Sequence, residues 1–254
     1  MRLALYGYGK MGKAIEAAAI ARGHEVVLRV SRANAGTPPK DADAAIEFSK
    51  PDQALANMRL CLEMGVPVVV GTTGWYDKLP DVRALVDEYK GALLWASNFS
   101  IGVNLFFRVN RQLAALMDKQ AGYNARIDEI HHIHKLDAPS GTAITLANDI
   151  DLRTQRYAGW QLSSESGHRE LRDPLASGTK QEAVSPAPIE ITSERIGDVT
   201  GKHSVTWASA NDRIIITHEA FDRSGFATGA VIAAEWLQNR KGLFTMDDLL
   251  DVTS

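Results

Sequence analysis

Short apolar runs alternate with helical patterns over the first hundred residues, and this alternation predicts the architecture of the first half of the chain. Arg2-Leu3-Ala4-Leu5-Tyr6 reads as a strand, and Lys13-Ala14-Ile15-Glu16-Ala17-Ala18-Ala19-Ile20 as a helix of strong helix formers. Gly23 stops that helix, and His24 to Val30 forms a second strand ending at Ser31-Arg32. Ala33 to Lys40, with Gly36, Pro38 and Pro39, is a loop. Ala44 to Ser49 is a third strand, and Pro51 suits the first turn of a helix. Val66-Pro67-Val68-Val69-Val70 is nearly all apolar, as expected of a parallel strand covered on both faces. Pro80 to Tyr89 has helical spacing, and Ala92 to Ala96 gives another strand. Strands alternating with helices predict a parallel α/β domain.

The second half has a different rhythm. Leu105 to Lys119 carries helical apolar spacing at Leu105, Val109, Leu113 and Leu116, and Arg126 to Ile130 reads as a strand. A helix follows from Ala143 to Leu152. Thr154 to Pro188 is rich in Ser, Gly, Pro and charge, and reads as loop. Ile189 to Glu194, Ser204 to Ala208 and Arg213 to Ala220 are strand-like without intervening helices, which predicts an open mixed sheet. Ser224 to Gln238 returns to helix, and Thr245 caps a short final helix with Asp247 and Asp248 in its first turn. The expected organisation is a parallel-sheet domain, residues 1–103 plus 222–254, interrupted by an α+β domain, residues 104–221. Asp222-Arg223-Ser224 is the crossing. Open sheet edges need cover, so self-association through the second sheet is expected.

Composition narrows the classes of function. The chain has 254 residues, enough for two domains, with 28 Lys plus Arg against 31 Asp plus Glu and a net charge of -3. No long basic run is present, so no nucleic-acid partner is expected. The single Cys61 rules out an intramolecular disulfide and fits a reducing compartment; it reads as a buried small hydrophobe. No apolar run reaches the roughly 18 residues of a membrane span and no signal-type core precedes the first strand, so no membrane association is expected and the expected location is cytoplasmic.

Two stretches carry chemistry. Gly7-Tyr8-Gly9-Lys10-Met11-Gly12 stands between a strand and a helix, the position of a Rossmann-type dinucleotide turn. Gly7, Tyr8, Gly9, Lys10 and Met11 are therefore candidates to bind the cofactor at a helix N-terminus. The acid that usually holds the ribose hydroxyls in an NAD site is absent after the second strand. Ser31 and Arg32 stand there instead and suit a 2′-phosphate, which predicts that NADPH is used at least as well as NADH. The alternative is that Arg32 is a surface residue and the ribose is held elsewhere. Gly71, Thr72 and Thr73 end a parallel strand, where such sheets bind ligands.

The second stretch runs from His131 to Thr142 and packs three imidazoles and an ammonium ahead of a Pro-Ser-Gly-Thr turn and a helix, a set suited to an anion. In an extended segment His131, Ile133 and Lys135 would point one way, and His132 and His134 the other. A metal held by His132 and His134 is the weaker reading, since Lys135 opposes it, and no metal is expected.

Taken together, Gly7 to Gly12, Gly71-Thr72-Thr73-Gly74, Asn98 to Asn104, His131 to Thr142 and Gly242 to Met246 resemble the dihydrodipicolinate reductase family of bacterial lysine and diaminopimelate synthesis, across nearly the whole chain. The resemblance implies a nucleotide domain interrupted by a substrate domain whose sheets pair into a homotetramer. It implies transfer of the pro-R hydrogen of NAD(P)H as hydride to C4 of a dihydropyridine dicarboxylate. It also implies that His131 and Lys135 are the acid/base pair, that His132, Ser140, Gly141 and Thr142 grip the substrate carboxylates, and that Ala96, Ser97, Asn98 and Phe99 touch the cofactor. The chain departs from many members at Ser31-Arg32, where they have an acid, and along Thr154 to Pro188. The competing readings are a dehydrogenase of another dicarboxylate and a nucleotide-binding regulator without catalysis.

Overall fold

Alternating side-chain direction along short, largely apolar strands gives the first sheet two buried faces. In chain order the computed structural model has β1 (Arg2–Tyr6), α1 (Lys10–Ala21), β2 (Glu25–Val30), β3 (Ala44–Glu47), α2 (Pro51–Glu63), β4 (Val68–Val70), α3 (Leu79–Glu88), β5 (Ala92–Trp95) and α4 (Ile101–Met117). These are followed by β6 (Asn124–His131), α5 (Gly141–Asp151), β7 (Tyr157–Leu162), β8 (Ala187–Arg195), β9 (Gly201–Ala208), β10 (Arg213–Ala220), α6 (Ser224–Leu237), β11 (Gly242–Phe244) and α7 (Met246–Leu249). The structure describes residues 1–163 and 186–251. The chain divides into two compact units, Met1–Asn104 with Arg223–Ser254, and Leu105–Asp222.

The first unit holds a six-stranded sheet in the order β11-β5-β4-β3-β1-β2, parallel throughout. Leu3, Leu5, Ile46, Val69 and Leu94 pack on one face with Ile15 and Ala19 of α1 and Ala230, Val231 and Ala234 of α6. Ala4, Tyr6, Val68, Val70 and Leu93 pack on the other with Met58 and Leu62 of α2 and Val82 and Leu85 of α3. Each fully buried Leu, Ile or Val contributes about 1.5–3 kcal/mol, so these two layers carry the unit. Cys61 lies in the second layer with no exposed surface, and burial pushes its thiol up to about 12. The strand β11 was not expected from the sequence; its three residues extend the sheet beside β5, where Gly242 donates to the Gly91 carbonyl.

The second unit holds a mixed sheet in the order β10-β9-β6-β8-β7. The central β6 runs antiparallel to β9 and parallel to β8, β7 is parallel to β8, and β10 is antiparallel to β9. Ile127, Ile189, Ile191, Val205 and Trp207 are fully buried, as are Ala143, Leu146 and Ile150 of α5, which packs on this sheet. A Rossmann-type parallel sheet and a second, open mixed sheet are thus both present.

Several local expectations are corrected. The helix expected from Leu105 begins at Ile101, because the Ser100 hydroxyl accepts the Val103 N–H and the Asn98 side chain accepts that of Ser100. Its buried face is also different. Phe106, Phe107, Asn110, Ala114 and Met117 are buried, whereas Leu105, Val109 and Leu116 are exposed. Asn110 donates to the Leu146 carbonyl of α5, a polar anchor that apolar spacing cannot reveal. The loop expected from Thr154 contains β7, which is held by pairing with β8 and by Tyr157, whose hydroxyl accepts the Ala125 N–H. The rest of that expectation, residues 164–185, lies outside the described residues. Alternation also fails beyond His131. The strand ends there, and a turn closed by Lys135 N–H on the His132 carbonyl replaces it.

Candidate active site

In the first unit the sheet order reverses at β1, whose neighbours are β2 and β3, and the residues following these three strands surround a cavity of about 780 Å³. Such a switch point is where open α/β sheets bind ligands. Gly7, Tyr8 and Gly9 line it with Ser31, Arg32, Phe48, Ser49 and Asn57. Gly7 has φ +90°, and a Cβ there would lie 2.0 Å from the Phe48 carbonyl oxygen, so only glycine lets the turn pass this close to β3. Helix α1 starts at Lys10 with Gly9 as its cap, no capping side chain and no acid in its first turn. Its N–H groups and dipole are thus left for an anion. These features fit a dinucleotide.

A smaller cavity of about 230 Å³ in the same unit is lined by Met11, Gly71, Thr72, Thr73, Phe48, Ser49 and Pro51. Lys10 is exposed at the start of α1, and Ser97 is exposed. Ala96 is buried and donates to the Val70 carbonyl, Asn98 caps the turn before α4, and Phe99 packs against Phe48 in the core with ring centroids 5.7 Å apart. Ser31 caps a 3₁₀ turn, its side chain accepting from Ala33 N–H, while Asn34 accepts from the Ser31 N–H.

Beneath the switch point lies Glu47, a fully buried carboxylate pushed upward by burial and opposed by hydrogen bonds from Ser49 and Asn57. Phe48, Ser49, Asn57 and Glu47 were not singled out from the sequence. The signal for the first two and Glu47 was the C-terminal end of the third strand, where open α/β sheets bind ligands; Asn57 lies in α2 and carries no such signal.

In the second unit His131 is the last residue of β6 and is buried, with its Nδ1 3.6 Å from Glu129 Oε2. Burial is the main cause that lowers its imidazole to about 4; Glu129 acts in the opposite direction, while His203, Lys135 and Arg195 lower it further. Lys135 is paired with both oxygens of Asp137 at 2.9 Å. His132 is half-buried, its Nδ1 has no hydrogen-bond partner, and its ring lies 6.2 Å from that of the exposed His134.

Ser140 caps α5. Its Oγ accepts the Ala143 N–H at 3.2 Å and lies 3.0 Å from His203 Nε2, and its own N–H donates to Glu129 Oε1. Gly141 and Thr142 follow as the first helical residues, with no acid in that turn. The structure brings His131, Lys135 and Ser140 into one neighbourhood and adds three residues that the sequence reading missed: Glu129, Arg195 and His203. Arg195 fastens the loop that follows β6, donating to the carbonyls of Lys135 and Asp137. Glu129 stands two residues before His131 on the same strand face, a period-two signal that could have found it. Arg195 and His203 come from β8 and β9, distant in sequence. The donor atoms of Glu129, His131 and His203 lie within 4.8 Å of one another, yet the Arg195 guanidinium, 3.6 Å from the same carboxylate, already supplies the positive charge a cation would bring.

The first unit thus offers an uncapped helix beside a glycine turn, and the second a buried imidazole, an ammonium and a helix with no acid in its first turn. Residues 1–99 match the family model described as dihydrodipicolinate reductase, N-terminus, and residues 102–250 match its C-terminus. The chain belongs to the dihydrodipicolinate reductase family. A relative from Christiangramia forsetii named 4-hydroxy-tetrahydrodipicolinate reductase is 42% identical over 252 residues, covering 98% of each chain. One of the same name from Chromobacterium violaceum is 35% identical over 269 residues and covers 95% of each. Among solved structures, a dipicolinate-bound dihydrodipicolinate reductase from Paenisporosarcina sp. TG-14 superposes with a TM-score of 0.75 at 23% identity, covering 98% of this chain and 99% of that one. An amine dehydrogenase from Mycobacterium smegmatis shares the architecture at a TM-score of 0.55 and 12% identity, with 97% and 95% covered. No described helix is long and apolar enough to cross a membrane.

Proposed function

We propose that this reductase-family chain catalyses the NAD(P)H-dependent reduction of dihydrodipicolinate, derived from 4-hydroxy-tetrahydrodipicolinate, to tetrahydrodipicolinate in the diaminopimelate and lysine pathway. The observation that carries the reading is the cluster of His131, Lys135 and the Ser140-capped end of α5 in a chain whose other unit holds a glycine turn and an uncapped helix. A nicotinamide cofactor, when bound, supplies the hydride that adds to C4 of the ring. Gly7, Tyr8, Gly9, Lys10 and Met11 would hold its pyrophosphate, and Gly71, Thr72, Thr73 and Ala96 to Phe99 its nicotinamide end. Ser31 and Arg32 would receive a 2′-phosphate, so NADPH is used at least as well as NADH.

In the substrate unit, His132, Ser140, Gly141 and Thr142 bind the two carboxylates through an imidazole, a hydroxyl and N–H groups at the α5 N-terminus. His131 holds the proton that the reduced ring takes up, and Lys135 shares the acid/base work and offsets the dianion. The exposed apolar side chains of the edge strand β10, Ile214 and Ile215, suit pairing between copies, and the assembly proposed is a homotetramer. The deciding assay follows NADPH oxidation with and without the cyclic product of aspartate semialdehyde and pyruvate. Oxidation dependent on that product supports the reading, and its absence removes it.

A further inference from the structure

One buried carboxylate of the substrate unit is not needed for any substrate contact, yet it touches two of the groups that are, His131 and Ser140. Glu129 is 1% exposed on the central strand β6, and its two oxygens have separate partners. Oε1 accepts the Ser140 N–H at 3.0 Å and the Ser193 hydroxyl, with the Arg195 guanidinium 3.6 Å away. Oε2 accepts no hydrogen bond and lies 3.6 Å from His131 Nδ1 and 3.5 Å from His203 Nε2. The two imidazoles meet edge to face with centroids 4.9 Å apart, and the Nδ1 atom of each has no partner. The other edge of the His131 ring lies against the β9 backbone, where a Cβ on Gly201 would fall 3.1 Å from Nε2. A carboxylate anchored through one oxygen cannot swing its other oxygen away. The space for the His131 ring is therefore set on both sides.

Building on the reductase reading above, we propose that Glu129 is a positioning residue for two imidazoles at once: it aims His131 for proton delivery and, through His203 and Ser140, holds the anion-binding end of α5 in register with that proton. The charges around His131 support this assignment. Lys135 faces it from the following loop, Arg195 from β8 and His203 from β9, all cationic or able to become so, while Asp137 is engaged by Lys135 and Glu129 is the negative group that acts on the ring. Of these groups, Glu129 alone favours the imidazolium. Hydrogen-bonding through Ser140 then makes the carboxylate a shared reference for acid and anchor.

The test uses the full chain and the isosteric amide E129Q. In steady-state assays with NADPH, E129Q is expected to lower kcat by about tenfold or more, a fraction of what a general acid contributes. It should also raise KM for the dicarboxylate, leave KM for NADPH unchanged, and move the alkaline limb of the kcat profile, where a general acid loses its proton, to lower pH. H203Q should raise KM for the dicarboxylate with kcat within about threefold, because it breaks only the branch through Ser140. Histidine-edited NMR with pyridine-2,6-dicarboxylate as the probe needs no turnover. The His131 resonance should shift to the protonated position on binding in the unsubstituted protein and not in E129Q. A kcat profile and a His131 response in E129Q that superimpose on those of the unsubstituted protein would overturn the proposal, whatever happens to thermal stability. Should E129Q fail to fold, an unchanged dicarboxylate KM in H203Q overturns it alone. If the unsubstituted protein oxidises no NADPH, the reductase reading falls, and the NMR comparison still decides the role of Glu129.

Discussion

At the scale of single residues, His131 presents a proton-balance question. Burial holds its imidazole at about 4, so in the free protein near neutral pH the ring is neutral and has no surplus proton to give. A bound dianion reverses that balance, since negative charge within a few ångströms favours the imidazolium. Binding of pyridine-2,6-dicarboxylate should therefore take up protons. Calorimetry at pH 7 in two buffers of different ionisation enthalpy should show this uptake, and heats independent of the buffer would refute it. His131→Ala should lower turnover by about two orders of magnitude or more while the affinity for NADPH is retained; near-normal turnover would remove the role. At the other end, Arg32→Ala should raise KM for NADPH by about tenfold, the size of one charge-assisted hydrogen bond, and leave NADH unaffected. The candidates named from sequence at this scale are those with local signatures, a glycine turn or a histidine cluster. Arg195 and His203 carry no such signature, because what brings them to Glu129 is strand pairing across β6, β8 and β9.

Among the elements, α5 ties packing to binding. Ser140 caps it and touches both Glu129 and His203, so Ser140→Ala removes a cap worth about 1 kcal/mol and loosens the anion-binding end at the same time. A lower melting temperature together with a higher KM for the dicarboxylate is the expected outcome, and a change in melting temperature alone would confine Ser140 to the cap. The strand β6 also sets an acid sensitivity. In the folded unit His131 titrates at about 4, against about 6.5 when unfolded. Burial raises Glu129, but the adjacent His203 imidazole and hydrogen bonds from Ser140 and Ser193 outweigh it and hold the carboxylate down at about 2, against about 4.3 unfolded. Both groups bind protons more readily when unfolded, so stability is full above about pH 6.5, falls first through the histidine window and then through that of Glu129. Melting curves from pH 7.5 to 4 should show the decline, and His131→Gln should flatten its upper part. Apolar spacing located α4 but misjudged its inward face, since Asn110, a polar residue, holds the position that a hydrophobic pattern assigns to a neighbour. The strand β7 was illegible for the opposite reason. Its residues are largely exposed, and its partner β8 rather than its own pattern keeps it extended.

For the whole molecule, the alternation of strands and helices made the first sheet legible, because a parallel sheet buried on both faces must be written in nearly unbroken apolar runs. The mixed sheet was legible as a cluster of strands but not in its order, since β6 pairs with two strands lying more than fifty residues downstream. Self-association is the proposal that belongs to this scale. A homotetramer predicts a scattering mass four times the 27.7 kDa chain, and Ile215→Lys on the exposed edge of β10 should lower it. A mass independent of that substitution would move the interface elsewhere.

Cys61 is sealed between α2 and the sheet, so thiol reagents should find nothing to modify until the protein unfolds. The native chain is accordingly a blank background for fluorescent labelling. Cysteines engineered at exposed positions such as Ser97 in the first unit or Ile133 in the second would therefore take up a dye without competition from the native thiol.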